Sequence, residues 1–159
     1  MHSTGFSYVL LCGLAIALLI AATTDLRRRQ IDNGLNAAIA LAAPLFWWAS
    51  GLGWPAVGFQ LLVALGAFAV LAVLFAFRAM GGGDVKLLTA LALWIRPAWF
   101  LQLVTIMAIL GGVLTIVFAA WHITRRRKER IAVPYGVAIA GAGLWILSVD
   151  YLPKLAGHV

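Results

Sequence analysis

The sequence predicts an all-α membrane protein, a six-transmembrane helix bundle with both termini outside the cytoplasm and a short fourth span. Three observations lead to that fold class. Of the 159 residues 64% are hydrophobic and only 11% charged, where ordinary globular chains run at about 25% charged, and the mean hydropathy is +1.02. The few charges are not spread over a surface but gathered into short blocks between long apolar runs. At ~20 apolar residues per spanning helix, six helices use roughly 120 residues, so a single membrane domain over 1–159 is expected with no room for a second.

Cutting the chain at its charges leaves uncharged runs 3–24, 33–77, 87–95, 97–121 and 131–149. The first reads as a span and not as a cleaved leader, because it lacks a basic n-region and is too long for a typical h-region. The run 33–77 holds two spans, parted at Ser50-Gly51-Leu52-Gly53-Trp54-Pro55, a turn signal with an interfacial tryptophan. The runs 97–121 and 131–149 are one helix each. Asp84 to Trp94 is the ambiguous element, since eleven residues rise only about 17 Å.

Parity decides it. Arg27 to Arg29, Arg78 with Lys86, and Arg125 to Lys128 with Arg130 all belong in the cytoplasm by the positive-inside rule. The second and third blocks must then be separated by an even number of crossings. Since 97–121 is one, 84–96 must be another. Six spans follow, with ten of the twelve Lys and Arg inside and only Arg96 and Lys154 outside. The tryptophans, Trp47 and Trp94 among them, read as interface markers. Small residues at helical spacing, Gly136, Ala140 and Gly143 in the last span and Gly111, Gly112 and Thr115 in the fifth, read as packing positions.

The formal charge of +7 belongs to these cytoplasmic loops and points to anionic lipid, not nucleic acid. One cysteine, Cys12, in an apolar run excludes a disulfide framework and a CxxC zinc site, and His2, His122 and His158 are scattered. No metal or cofactor is expected. GxSxG and HExxH are absent as well. A transporter should carry ionisable groups near the bilayer midplane, whereas the mid-span polar residues here are neutral, such as Gln60, Gln102 and Thr105.

Five acids remain: Asp25, Asp32, Asp84, Glu129 and Asp150. Glu129 sits in the basic block as a solvated partner of its neighbours, and Asp150 reads as an interfacial residue ending the last span. Asp25 and Asp84 differ, because each lies where an apolar helix meets the cytoplasmic surface, on spans that are not sequence neighbours. Each is followed two positions on by a base, Arg27 or Lys86. Two helical residues turn about 200°, so each base should face away, free to reach phosphate head groups, while its acid looks into the bundle. Such a carboxylate is by default a functional-site hypothesis. Gly81-Gly82-Gly83 before Asp84 gains no packing on this reading but would let an extended substrate backbone approach. A phosphate loop is disfavoured, as neither GxxxxGK[ST] nor GxGxxG is present.

Two carboxylates brought together can hydrolyse a peptide bond without metal or nucleophile, because close like charges share one proton and divide the base and acid roles. At this point the residues resemble a family: the bacterial type IV prepilin peptidases, GxGD-type intramembrane aspartic endopeptidases. Gly81-Gly82-Gly83-Asp84-Val85-Lys86-Leu87-Leu88 is similar to the family's second active-site motif. Its first, an aspartate followed after five residues by Ile-Pro-Asn, is matched by Asp25 and Ile31-Asp32-Asn33. Val133-Pro134-Tyr135-Gly136-Val137-Ala138-Ile139 resembles a third characteristic segment at the start of the last helix.

The resemblance implies Asp25 and Asp84 as catalytic residues, Gly81, Gly82 and Gly83 as substrate-binding, and a prepilin or pseudopilin as substrate. The leader would be removed on the cytoplasmic side of the bacterial inner membrane, just before the pilin's hydrophobic helix. Two departures stand out. Asp32 replaces the family's proline and sets a third carboxylate near the first, with Asp32-Asn33-Gly34 reading as a turn. The cysteine-rich zinc segment of the longer, N-methylating members is missing, so the chain resembles the short form of Flp or tight-adherence systems, with peptidase activity alone. A non-enzymatic subunit of a pilus or secretion assembly is the competing class, and a small transporter the more distant one.

Overall fold

The computed structural model describes residues 4–124 and 134–156, with side chains over 5–121 and 134–151. Six helices follow one another: α1 (Thr4–Arg28), α2 (Asn33–Ala49), α3 (Trp54–Ala76), α4 (Gly82–Ala92), α5 (Pro97–Thr124) and α6 (Tyr135–Ala156). There is no strand among the described residues. Three helices, Gly5–Arg28, Trp54–Ala76 and Pro97–Trp121, are long and apolar enough to cross a bilayer. Most of their surface is not covered by protein: Leu62, Val70, Leu101 and Ile116 are all more than 60% exposed. Apolar side chains displayed all round a helix are the pattern of a segment solvated by lipid. The chain is an all-α membrane protein.

The break within 33–77 falls where the turn signal put it. α2 stops at Ala49, and Gly51 takes φ 67°, while Leu52 N–H reaches back to the Trp47 carbonyl at 2.9 Å and Gly51 N–H to Trp48 at 3.1 Å. This is a Schellman stop, for which glycine is the least strained residue. α1 and α3 end on the same left-handed conformation, but with Arg29 at φ 55° and Arg78 at φ 58°. Asp32-Asn33-Gly34 is not a turn, contrary to its composition. Asp32 is the N-cap of α2 in extended backbone, and Asn33 and Gly34 open the helix.

The short helix lies at the centre. α4 packs on α2, α3 and α6 and touches α5, while α6 lies between α1 and α5. Leu87, Leu88, Leu91 and Ala92 are completely buried, so α4 is a post wrapped by longer helices. Its C-terminal carbonyls therefore end away from water, where each would be costly if unpaired. Gln60 Nε2 of α3 donates to the carbonyls of both Ala92 and Ile95 at 2.6 Å, and Trp47 Nε1 of α2 donates to Leu93 at 2.7 Å. Trp94 is 4% exposed, stacks on Phe46 with ring centres 5.0 Å apart and donates to the Ile39 carbonyl at 2.8 Å. Trp47 and Trp94 are thus clamps on the end of α4 and not interface markers.

Asp150 also departs from expectation. It is 5% exposed and faces Arg96 at 3.9 Å, so it is a buried ion-pair partner joining the end of α4 to the end of α6. Glu129 and the basic block 125–130 lie outside the described residues.

Candidate active site

Asp25 sits in the last turn of α1, 6% exposed. Its Oδ2 accepts the backbone N–H of Gly136 at 2.8 Å, and the amide of Val137 also reaches it. Pro134, fully buried, immediately precedes α6. Gly136 is the second residue of that helix, so its N–H group has no partner one turn back, while the Val137 N–H is shared with the Pro134 carbonyl at 3.2 Å. Such an orphan donor, reinforced by the helix dipole, is a ready anchor for a carboxylate. Glycine at 136 follows from the approach: a Cβ there would lie 2.8 Å from Asp25 Oδ2 and 2.9 Å from its Cβ and Cγ.

Asp84 is held at the opposite side of the same hollow. It is the third residue of α4, whose N-cap is Gly81 in extended backbone, and its carboxylate reaches back to the Gly81 N–H. This is one half of a capping box. A Cβ on Gly81 would come within 2.9 Å of Asp84 Oδ2. Asp84 is half-buried and within electrostatic reach of Asp25. The helices carrying them, α1 and α4, are joined through α6, which packs on both.

Both acids line one pocket of about 380 Å³, together with Arg29, Asp32, the loop between them and Gly81 to Gly83. The structure thus brings together every residue that the sequence singled out for chemistry, Asp32 included. Asp32 is exposed on the wall, whereas Asp25 is buried. The guanidinium of Arg29 stacks 5.2 Å over the Phe118 ring of α5, and Arg29 lines the same pocket.

Two expectations about this neighbourhood need correction. The glycines do pack: a Cβ on Gly83 would meet Ile31 at 3.3 Å, its backbone at 3.5 Å, and one on Gly82 would meet the Phe75 ring at 3.3 Å. The missing side chains let α4 press against the loop that follows Asp25, and so set the spacing of the two acids. Lys86 does not hang free toward lipid, since its Nζ donates to Asn33 Oδ1 at 2.7 Å. With Asn36 Nδ2 donating to the Gly83 carbonyl at 3.3 Å, it ties the start of α2 to the start of α4.

Sequence reasoning placed Gly136, Val137 and Asn33 in motifs without giving them a site role, and missed Asn36. The first two act through backbone N–H, which every residue but proline carries; the signal for them was a Pro-Tyr-Gly sequence opening an apolar helix. Among the described residues no group of three His, Cys, Asp or Glu converges as a metal site would. Chemically, the arrangement offers a water-accessible pocket with two carboxylates that cannot both be charged without mutual repulsion, and whose titration belongs to the pair.

A family model described as the type IV leader peptidase family matches residues 12–116, more than half of the chain. The match includes Asp25, Asp32 and Gly81 to Asp84 and stops before α6. No curated protein and no solved structure matches the chain.

Proposed function

Given that the chain belongs to the type IV leader peptidase family, we propose that it is an intramembrane aspartic endopeptidase that removes the leader of a prepilin or pseudopilin. The observation that carries this reading is the shared pocket, where the ends of two helices distant in sequence each contribute one carboxylate. One proton resides on the pair. The ionised carboxylate takes a proton from a water, whose oxygen attacks the scissile carbonyl carbon, while the protonated carboxyl donates to the carbonyl oxygen. Collapse of the tetrahedral adduct breaks the C–N bond: the departing amine takes a proton from the carboxyl that accepted it from water, a hydroxyl of the adduct returns its proton to the other carboxylate as the new carboxyl group forms, and the pair is left with one proton as at the start. Gly81 to Gly83 border the substrate path, and Gly136 and Val137 orient Asp25.

The pocket lies on the cytoplasmic side of the inner membrane of a bacterium, with both termini outside and α4 as a short fourth crossing of six. The basic loops that flank the pocket hold anionic lipid.

The test is cleavage of a prepilin by the purified protein in liposomes. Asparagine is nearly isosteric with aspartate but cannot exchange its proton, so Asp25→Asn and Asp84→Asn should each lose at least about a hundredfold in rate. The double variant should be no worse than either single one, because groups acting as a unit are not additive. Asp32→Asn should retain substantial activity. Dead Asp32→Asn beside active Asp25→Asn would reassign the pair, and cleavage by all three variants would end the aspartic mechanism.

A further inference from the structure

Among the described residues none of α5 lines the active-site pocket, yet the main partner of α5 is α6, the helix whose first turn anchors Asp25. Successive helical residues point about 100° apart, so Tyr135 and Gly136 address different neighbours. Gly136 meets α1, with its N–H on Asp25 at 2.8 Å. Tyr135 meets α5, where its ring lies so close over Gly111 that a Cβ there would find Cε1 at 2.9 Å and Cδ1 at 3.1 Å. Thr115, one turn on, completes the notch: its Oγ1 donates to the Gly111 carbonyl at 2.7 Å and lies 3.4 Å from the Tyr135 hydroxyl. A threonine hydroxyl carries one proton, so the tyrosine is the donor between the two. That contact is long for a hydrogen bond, and the seating of the ring on the bare backbone of Gly111 is the stronger part. Tyr135 also borders an open hollow of about 570 Å³ beside Phe75, Met80 and Gly81, a side that gives the ring no support.

We propose that Tyr135, seated in the notch of Gly111 and Thr115, is a positioning residue for Asp25: it fixes the first turn of α6 and with it the Gly136 N–H that orients the carboxylate. Its effect on rate rests on the peptidase reading. Helix ends fray unless packing holds them, and a hydrogen bond weakens steeply as it bends, so an anchor built from a first-turn amide needs a fixed place. The approach leaves no slack, since a Cβ on Gly136 would already lie 2.8 Å from Asp25 Oδ2. Bulk at 111 is not cleared by tilting the hydroxyl end of the ring, because Cδ1 is bonded to the ring's root carbon. Either the ring leaves the notch or α6, which lies between α1 and α5, is pushed toward Asp25. Both disturb the same bond.

The first test does not depend on turnover. Tyr135-Gly136 is the only place where glycine follows tyrosine, so isotopes in the tyrosine carbonyl and the glycine nitrogen single out the Gly136 amide by NMR in micelles. Asp25→Ala removes the acceptor and gives the resonance of the released amide. Gly111→Ala should carry the resonance at least a third of the way to that position. Gly112→Ala, where a Cβ meets nothing within 4 Å, should leave it in place. An unmoved resonance in Gly111→Ala, or equal shifts in the two variants, would overturn the proposal. The second test is prepilin cleavage by Tyr135→Ala, which reaches the contact from the other helix and adds no bulk. It should lower kcat at least tenfold with KM within twofold, while Tyr135→Phe, which keeps the ring, should retain at least half of the wild-type kcat. Wild-type kcat in Tyr135→Ala, or a raised KM at unchanged kcat, would equally overturn it. If wild-type protein fails to cleave while the Gly136 amide responds at 111 and not at 112, the peptidase reading fails and the coupling stands.

Discussion

Asp25 is held by backbone amides, and this makes a glycine 111 residues away part of the site. Alanine at 136 keeps the N–H but adds a methyl 2.8 Å from the carboxylate oxygen. Asp25 has a short, buried side chain with little freedom to swing aside, so either it rotates off α6 or α6 retreats. Gly136→Ala should therefore lower kcat at least tenfold with little change in KM, as befits a positioning residue that does not touch substrate. Gly112→Ala is the matched control, because a Cβ at Gly112 of α5 meets nothing within 4 Å; its rate should stay within twofold of wild type. The comparison also shows how far single residues were readable. Asp25 and Asp84 stood out because unpaired carboxylates are rare at the edge of apolar helices. Gly136 did not, because its contribution is a group common to all residues and the absence of a side chain, and neither registers as chemistry until α6 is seen against α1.

At the scale of elements, the short helix carries the largest contrast between what was legible and what was not. Its existence followed from charge parity, and its eleven residues fall close to the stretch expected. What could not be read was how so short a helix is tolerated, since Gln60, Trp47 and Trp94 have the composition of ordinary mid-span and interface residues. Only their placement reveals them as donors to the end of α4. Glutamine at 60 satisfies two carbonyls at once, and leaving buried acceptors unpaired costs on the order of 1–3 kcal/mol. Gln60→Leu should accordingly destabilise the detergent-solubilised protein by about that amount, read as a lower melting temperature. Gln102→Leu, on the exposed surface of α5, should be neutral. Equal effects in the two variants would mean that Gln60 is not a cap. The glycine block belongs to this scale as well: Gly83 packs against Ile31, a contact that was not legible in the sequence because the facing surface is about fifty residues away.

For the whole molecule, the contacts sort into two ends. Asp25 of α1, Gly81 to Asp84 of α4 and Gly136 of α6 converge at one of them, and Phe118 of α5 joins them there through Arg29. At the other, Arg96 after α4 meets Asp150 of α6. The eleven residues of α4 rise about 17 Å, against about 33 Å for the 22 residues of α6. The length of α4 falls short of the ~30 Å hydrocarbon core, which a membrane protein accommodates by thinning the bilayer or by drawing charged side chains to its edges. Arg96, 60% exposed beside the buried Asp150, is placed for the second. Reporter fusions test this arrangement. Insertions after Arg29, within 81–83 and after Lys128 should report the cytoplasm, and insertions after Gly53, after Arg96 and at the C-terminus should report the outside. The fusion after Arg96 is decisive, because the three long apolar helices alone are equally compatible with α4 dipping in and returning to the same side. A cytoplasmic signal there would make α4 re-entrant, break the parity that assigns α5 and α6 their directions, and place Asp150 on the same side of the membrane as Asp25 and Asp84.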